Sequence, residues 1–304
     1  MTRLWGGLLA LALALPLAAC ATPQRSAEIV VTTNILGDVV RELIGDALPV
    51  RVLMPAGADP HSFGISAHEA DLLQGATLVI ANGLGLEEGV LRHVDAAEDS
   101  GVDVLRVAEL LDPIPVGEEG EPDPHFWTDP YRMLSALDAI EEAVRAHVPD
   151  LDPAPAGAYR ERVSALAESA RERFAAIPAE NRRLVTNHHV FGYLAERYRI
   201  TVVGAVIPGG STLAAPSARD LESLAGAITA SGVHTIFVDS SQPDRLARVL
   251  ADRAGIDVQI RSLATESLTA PGGGAASYLE MMSGNIDALA QSFDPPDRVP
   301  DTVR

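Results

Sequence analysis

Residues 152–178 have the sequence DPAPAGAYRERVSALAESARERFAAIP. Its prolines stand at the ends, Pro153 and Pro155 at one and Pro178 at the other, and Gly157 is the only other breaker. Tyr159, Val163, Leu166, Ala170, Phe174 and Ile177 recur at three- and four-residue spacing, which predicts one amphipathic helix of roughly 22 residues, about 33 Å long. Such a helix is long enough to cross a domain, and it separates two halves that each alternate strand with helix.

In the first half, short β-branched or apolar runs predict strands at 29–31, 50–54, 77–81 and 102–107. Helical spacing appears at 35–44, which stops at Gly45, and around Glu69 to Leu73. A further helix from Pro130 to about His147 is marked by Asp129 as its N-cap and proline at its first position. The second half repeats the pattern, with strands expected at 184–187, 201–206, 235–238 and 257–260 and helices at 191–199, 218–230, 244–254 and 277–293. Strand–helix alternation predicts α/β architecture with parallel sheets. The expected boundaries are an N-terminal lobe at 28–150, a linking helix at 151–180, a C-terminal lobe at 181–294 and a proline-rich, charged tail at 295–304. In such sheets ligands bind beyond the carboxyl ends of the strands.

The chain has 304 residues, 47% hydrophobic and 21% charged, which is enough for two globular units. Its formal charge of -19 argues against nucleic acid or an anionic membrane surface as partner and suits cations better. Residues 1–20 form a signal peptide: Arg3, an apolar run from Leu4 to Leu17, and Leu17-Ala18-Ala19-Cys20, which resembles a bacterial lipobox. That ending implies cleavage and lipidation of Cys20, with 21–27 as a tether. Cys20 is the only cysteine, so the exported chain makes no internal disulfide.

Two Asp-Pro-His tripeptides, Asp59-Pro60-His61 and Asp123-Pro124-His125, place proline-stiffened imidazoles in loops that follow strands. His188 and His189 follow the first strand of the second half, and Glu266 follows its last. His61, His125 and His188 or His189, with one carboxylate, make a tetrahedral zinc set. His68, His93, His147 and His234 lie in or beside helices or just before a strand and are read as surface or structural. The acidic residues Glu118, Glu119, Glu121 and Asp123 are read as a solvated segment, and the Gly83-x-Gly85 loop lacks the spacing of a dinucleotide site.

Five segments then carry a specific resemblance. Thr32-Thr33-Asn34-Ile35-Leu36-Gly37-Asp38, Gly57-Ala58-Asp59-Pro60-His61, Asn82-Gly83-Leu84-Gly85-Leu86-Glu87, Asp123-Pro124-His125-Phe126-Trp127-Thr128-Asp129-Pro130 and His188-His189-Val190-Phe191-Gly192-Tyr193 resemble, in order, signatures of the zinc/manganese solute-binding proteins of bacterial ABC transporters. The resemblance implies two α/β lobes joined by a long helix, with a metal site in the cleft between them. It implies the ligands His61, His125 and His188, with His189 where an acidic residue is usual. The fourth ligand, usually Asp, falls on Glu266 within Thr265-Glu266-Ser267, one methylene longer; Asp239, which also ends a strand, competes for the role.

The resemblance further implies a non-enzymatic, membrane-anchored lipoprotein facing the periplasm or cell exterior. Such a protein is expected to be a monomer that captures Zn(II) and hands it to a permease, a metallochaperone being a further partner. Three imidazoles and one carboxylate favour zinc, with Mn(II) the second choice. Affinity should fall as pH drops through the histidine range near 6.5. The alternatives are a secreted zinc-dependent hydrolase with Glu266 as general base, and a surface adhesin as a second role.

Overall fold

The computed structural model describes residues 27–117, 120–255 and 258–293. The expected signal peptide, its Cys20 lipidation site, the tether before residue 27 and the 295–304 tail lie outside the described residues.

The first half runs β1 (Ile29–Val31), α1 (Asn34–Ile44), β2 (Val50–Val52), α2 (Ala67–Gly75), β3 (Leu78–Ala81), α3 (Leu91–Asp99) and β4 (Asp103–Arg106). A small antiparallel pair, β5 (Pro115–Val116) and β6 (Glu121–Pro122), follows, and then α4 (Pro130–His147). The predicted long helix is α5 (Pro153–Ala175). The second half runs β7 (Arg183–Thr186), α6 (Gly192–Tyr198), β8 (Thr201–Ala205), α7 (Ala218–Ser231), β9 (Thr235–Asp239), α8 (Arg245–Ala254), β10 (Gln259–Leu263) and α9 (Tyr278–Phe293).

Both four-stranded sheets are parallel, ordered β2-β1-β3-β4 and β8-β7-β9-β10. Numbered within its own half, each is 2-1-3-4, so the two halves share one topology. The reason for parallel pairing is visible residue by residue. In β1, Ile29 and Val31 join one apolar cluster while Val30 joins another; in β3, Leu78 and Ile80 divide from Val79 and Ala81 in the same way. The second sheet repeats this with Leu184 against Val185. Strands buried on both faces need helices on both sides, which βαβ crossovers supply.

One of these clusters is continuous through both halves, from Ile29 to Phe293, and α5 lies within it. Ala156, Tyr159, Val163, Ala167, Ala170 and Phe174 form its buried stripe, and α5 packs on α1 and α4 of the first half and on α6 and α9 of the second. Asp152 caps it, accepting a hydrogen bond from the Ala154 N–H at 2.9 Å. The packing of α1 is equally tight: a side chain at Gly37 would collide with Val52 of β2, so only glycine lets this helix sit on its sheet.

Three features depart from expectation. Helix α3 occupies a segment with no strong helical periodicity, because only Val94 and Ala97 of its nine residues are buried. The β5–β6 pair lies in the segment expected to be loop. The last strand is Gln259–Leu263, displaced toward Glu266 from the expected 257–260, because an edge strand carrying Gln259, Arg261 and Ser262 lacks an apolar run.

Candidate metal centre

His61, His188 and Glu266 follow β2, β7 and β10, and His125 follows the β5–β6 pair that comes after β4, so each half supplies two. One ligand atom from each residue lies within 4.8 Å of all the others. All four residues are essentially inaccessible to solvent.

Each side chain is held by its loop. Asp59 Oδ1 accepts the His61 N–H at 3.0 Å, and the Asp59 carbonyl accepts the Phe63 N–H, also at 3.0 Å, so the Asp-Pro-His segment closes into a tight turn. The second tripeptide repeats the device: Asp123 Oδ1 accepts the His125 N–H at 2.9 Å. The same oxygen lies 2.7 Å from His125 Nδ1. A carboxylate only accepts, so Nδ1 carries the hydrogen and Nε2 turns its lone pair to the cluster. Asp123 is therefore a buried orienting group, not part of a solvated acidic segment as its neighbours suggest. A side chain at Gly192 would strike its carboxylate, which explains the glycine after Phe191.

The Asn82–Glu87 segment turns out to be a brace. Glu87 accepts from the N–H groups of Asn82 and Gly83 at 2.7 and 3.2 Å and from the Thr32 hydroxyl at 2.5 Å, and burial pushes its carboxyl upward. Asn82 Nδ2 in turn donates to the Pro124 carbonyl at 3.0 Å, tying this loop to that of His125. Across the cleft, Trp127 Nε1 donates to the Thr265 carbonyl at 2.9 Å.

Glu266 is aimed by Asp239. Asp239 Oδ2 accepts the N–H groups of Thr265 and Glu266 at 2.9 and 3.1 Å and the Thr265 hydroxyl; Oδ1 accepts from Ser241. Asp239 stands outside the cluster, engaged with the loop that carries Glu266. His189 also stands outside, donating its N–H to the Gly209 carbonyl at 3.2 Å. His68 and His234 are exposed, His93 is half-buried, and half-buried His147 pairs with Asp103 at 3.3 Å.

The distances suit a small cation. His188 Nε2 and Glu266 Oε1 are 3.0 Å apart, His125 Nε2 and His61 Nε2 3.4 Å, His125 Nε2 and Glu266 Oε1 3.5 Å, and His61 Nε2 and Glu266 Oε2 3.9 Å. Bonds of about 2.0–2.1 Å in a tetrahedron separate ligand atoms by about 3.3 Å, which is the middle of that range. His125 Nε2 faces His61 Nε2 at 3.4 Å, and Glu266 Oε2 and His61 Nδ1 are buried without a hydrogen-bond partner. Burial, with repulsion from the two other rings, lowers His61 to about 2, and burial lowers His188 as well. Burial pushes Glu266 up to about 8, helped by Asp239, Asp59 and Asp123 and opposed by His125. His61 and His188 are thus ready to coordinate at neutral pH, while the Glu266 carboxyl must first give up a proton.

A sealed three-imidazole, one-carboxylate cage between two parallel sheets of the same topology defines a metal-capturing solute-binding protein. Residues 29–292 match the family model described as zinc-uptake complex component A, periplasmic, and the chain belongs to that family. It is 30% identical over 277 residues to the zinc-binding protein TroA of Treponema pallidum, covering 87% of this chain and 88% of the relative. It is 26% identical over 269 residues to the manganese-binding lipoprotein MntA of Halalkalibacterium halodurans, covering 88% of each. The solved structure of the periplasmic zinc binding protein TroA superposes with a TM-score of 0.81 at 28% identity, covering 88% of this chain and 99% of that one.

Proposed function

We propose that this chain is an extracytoplasmic receptor that takes one Zn(II) ion into the cage of His61, His125, His188 and Glu266 and delivers it to the permease of an ABC transporter. The observation that carries the reading is the convergence of four buried ligand atoms from both halves within 4.8 Å. In this reading 28–150 and 181–294 act as two lobes, 151–180 joins them, and lipid on Cys20 holds the exported protein at the membrane. Binding is the whole function, since four protein ligands close a tetrahedral shell and leave no position for an activated water.

The relatives' names divide between zinc and manganese, so the metal is argued from the donors. Three nitrogens and one carboxylate suit zinc, whereas manganese favours oxygen-rich sets. The test offers Zn(II) and Mn(II) together to the metal-free protein and measures what is retained after gel filtration. One zinc per chain is expected; a chain that retains manganese instead overturns the choice of metal.

The orienting role of Asp123 gives a second expectation. Asp123→Asn keeps the shape but weakens the hold on the His125 Nδ1–H, and losses of about 10–100-fold in metal affinity are usual for such partners. Competition against a chromophoric chelator measures it, and an unchanged affinity would mean that the ring is positioned by packing alone.

A further inference from the structure

Asp59 does two things at once. Its Oδ1 accepts the His61 N–H, while its Oδ2 receives hydrogen bonds from the opposite half of the molecule: the Thr212 hydroxyl at 2.6 Å and Gln242 Nε2 at 2.8 Å, in addition to Ser62 at 3.1 Å. Thr212 belongs to the loop between β8 and α7, bounded by Pro208 and Pro216, and Gln242 to the loop between β9 and α8. The Thr212 loop covers the cage. The Gly209 carbonyl accepts the His189 N–H at 3.2 Å, and a Cβ on Gly210 would lie 3.9 Å from His125 Cε1. Ser211 donates to Glu88 of the first half at 2.9 Å, while Leu213, Ala214 and Ala215 face solvent.

The four cage residues are sealed from solvent, so an ion leaves only when something over them moves. On another side the halves are tied by bonds that engage the backbone. The Gly57 N–H donates to the Leu268 carbonyl at 3.0 Å, Asn34 bonds both Ser267 and the Leu268 N–H, and Tyr278 donates its hydroxyl to the Trp127 carbonyl at 3.0 Å. The contacts made by Thr212, Gln242 and Ser211 are instead side-chain bonds on partly exposed loops, the ones most readily exchanged for water.

We infer that Thr212 and Gln242 form a latch on Asp59 that closes the Pro208–Pro216 loop over the cage and sets how fast the metal is released, without belonging to the coordination sphere. The inference rests on the metal-site reading above. Because Asp59 holds the His61 N–H with Oδ1 and the second half with Oδ2, loss of the latch frees the loop while the His61 turn keeps its own bond. Thr212 and Gln242 are positioning residues in this scheme: neither touches the ion.

The experiment loads the full chain and its Thr212→Val, Gln242→Leu and doubly substituted variants with one equivalent of Zn(II), then follows release into excess chelator by stopped flow. Hydrogen bonds to a charged acceptor are strong enough for each single variant to release about tenfold faster and the double about a hundredfold faster. Thr212→Ser, which keeps the donor, restores slow release. Loaded with Co(II) instead, every variant shows the wild-type d–d absorption, because the ligands are intact. Wild-type release from the double variant overturns the latch, and so does a changed Co(II) spectrum, which would place these residues in control of the ligands themselves. A wild-type chain that holds no metal overturns the underlying site reading, an outcome read before any variant is compared.

Discussion

Replacing His125 with alanine is expected to lower zinc affinity by about a hundred- to a thousandfold while leaving the fold in place. Four-ligand protein zinc sites carry ~10–16 kcal/mol of apparent binding free energy, so one ligand in four accounts for ~2.5–4 kcal/mol. His125 is the strongest place to look for that loss. Its Nε2 stands 3.4 Å from His61 Nε2 and 3.5 Å from Glu266 Oε1, and its tautomer is set by a buried carboxylate. Truncation does not strip Asp123 of partners, because the backbone N–H of residue 125 still donates to Oδ1, so the metal-free variant should keep the wild-type circular dichroism spectrum. Chelator competition gives the affinity. A variant that binds zinc as the wild type does would remove His125 from the ligand set, and one that fails to fold would shift the test to His61→Ala, which leaves the Asp123 pair untouched.

The sequence made parts of this plain and hid others for physical reasons. Runs such as Ile29–Val31 and Leu78–Ala81 are legible because strands buried on both faces carry an unbroken apolar run, and 152–178 is legible because its apolar spacing persists between terminal prolines. The histidine loops stand out because proline fences them. What hides is whatever depends on the partner across the cleft. Asp123 reads as one more acidic residue beside Glu118, Glu119 and Glu121, and only the fold buries it against an imidazole. Asp239 reads as a rival ligand because it ends a strand, yet its oxygens are spent on the Thr265–Glu266 loop and on Ser241. Thr212 and Gln242 carry no local signal, since Asp59 lies 153 and 183 residues away. Helix α3 escapes because two buried residues in nine do not make a stripe.

Glu266 is expected to control the pH dependence, in a window that differs from that of free histidine. In the metal-free folded chain its carboxyl is pushed up to about 8, mainly by burial, from an ordinary value of 4.5. The folded state therefore holds a proton that the unfolded chain has released, so this group makes the metal-free protein less stable as pH rises from 4.5 to about 8. A cation displaces that proton. Affinity should rise about tenfold per pH unit up to about 8 and level off above it, as one competing proton requires. His61 and His188 add no step near 6.5, because burial has lowered His61 to about 2 and His188 with it. Glu266→Gln removes the titrating group: the slope between pH 6 and 8 should flatten and affinity should drop, since a neutral amide replaces the one anionic ligand. Glu266→Ala also separates capture from hydrolysis, because a hydrolase using Glu266 as base would keep its metal and lose turnover, whereas a receptor loses affinity. An inflection near 6.5 that survives Glu266→Gln would show that histidine protonation governs binding and that the carboxylate lies outside the coordination sphere. If the slope instead follows Glu266, this buried carboxyl is itself the proton gate on metal uptake.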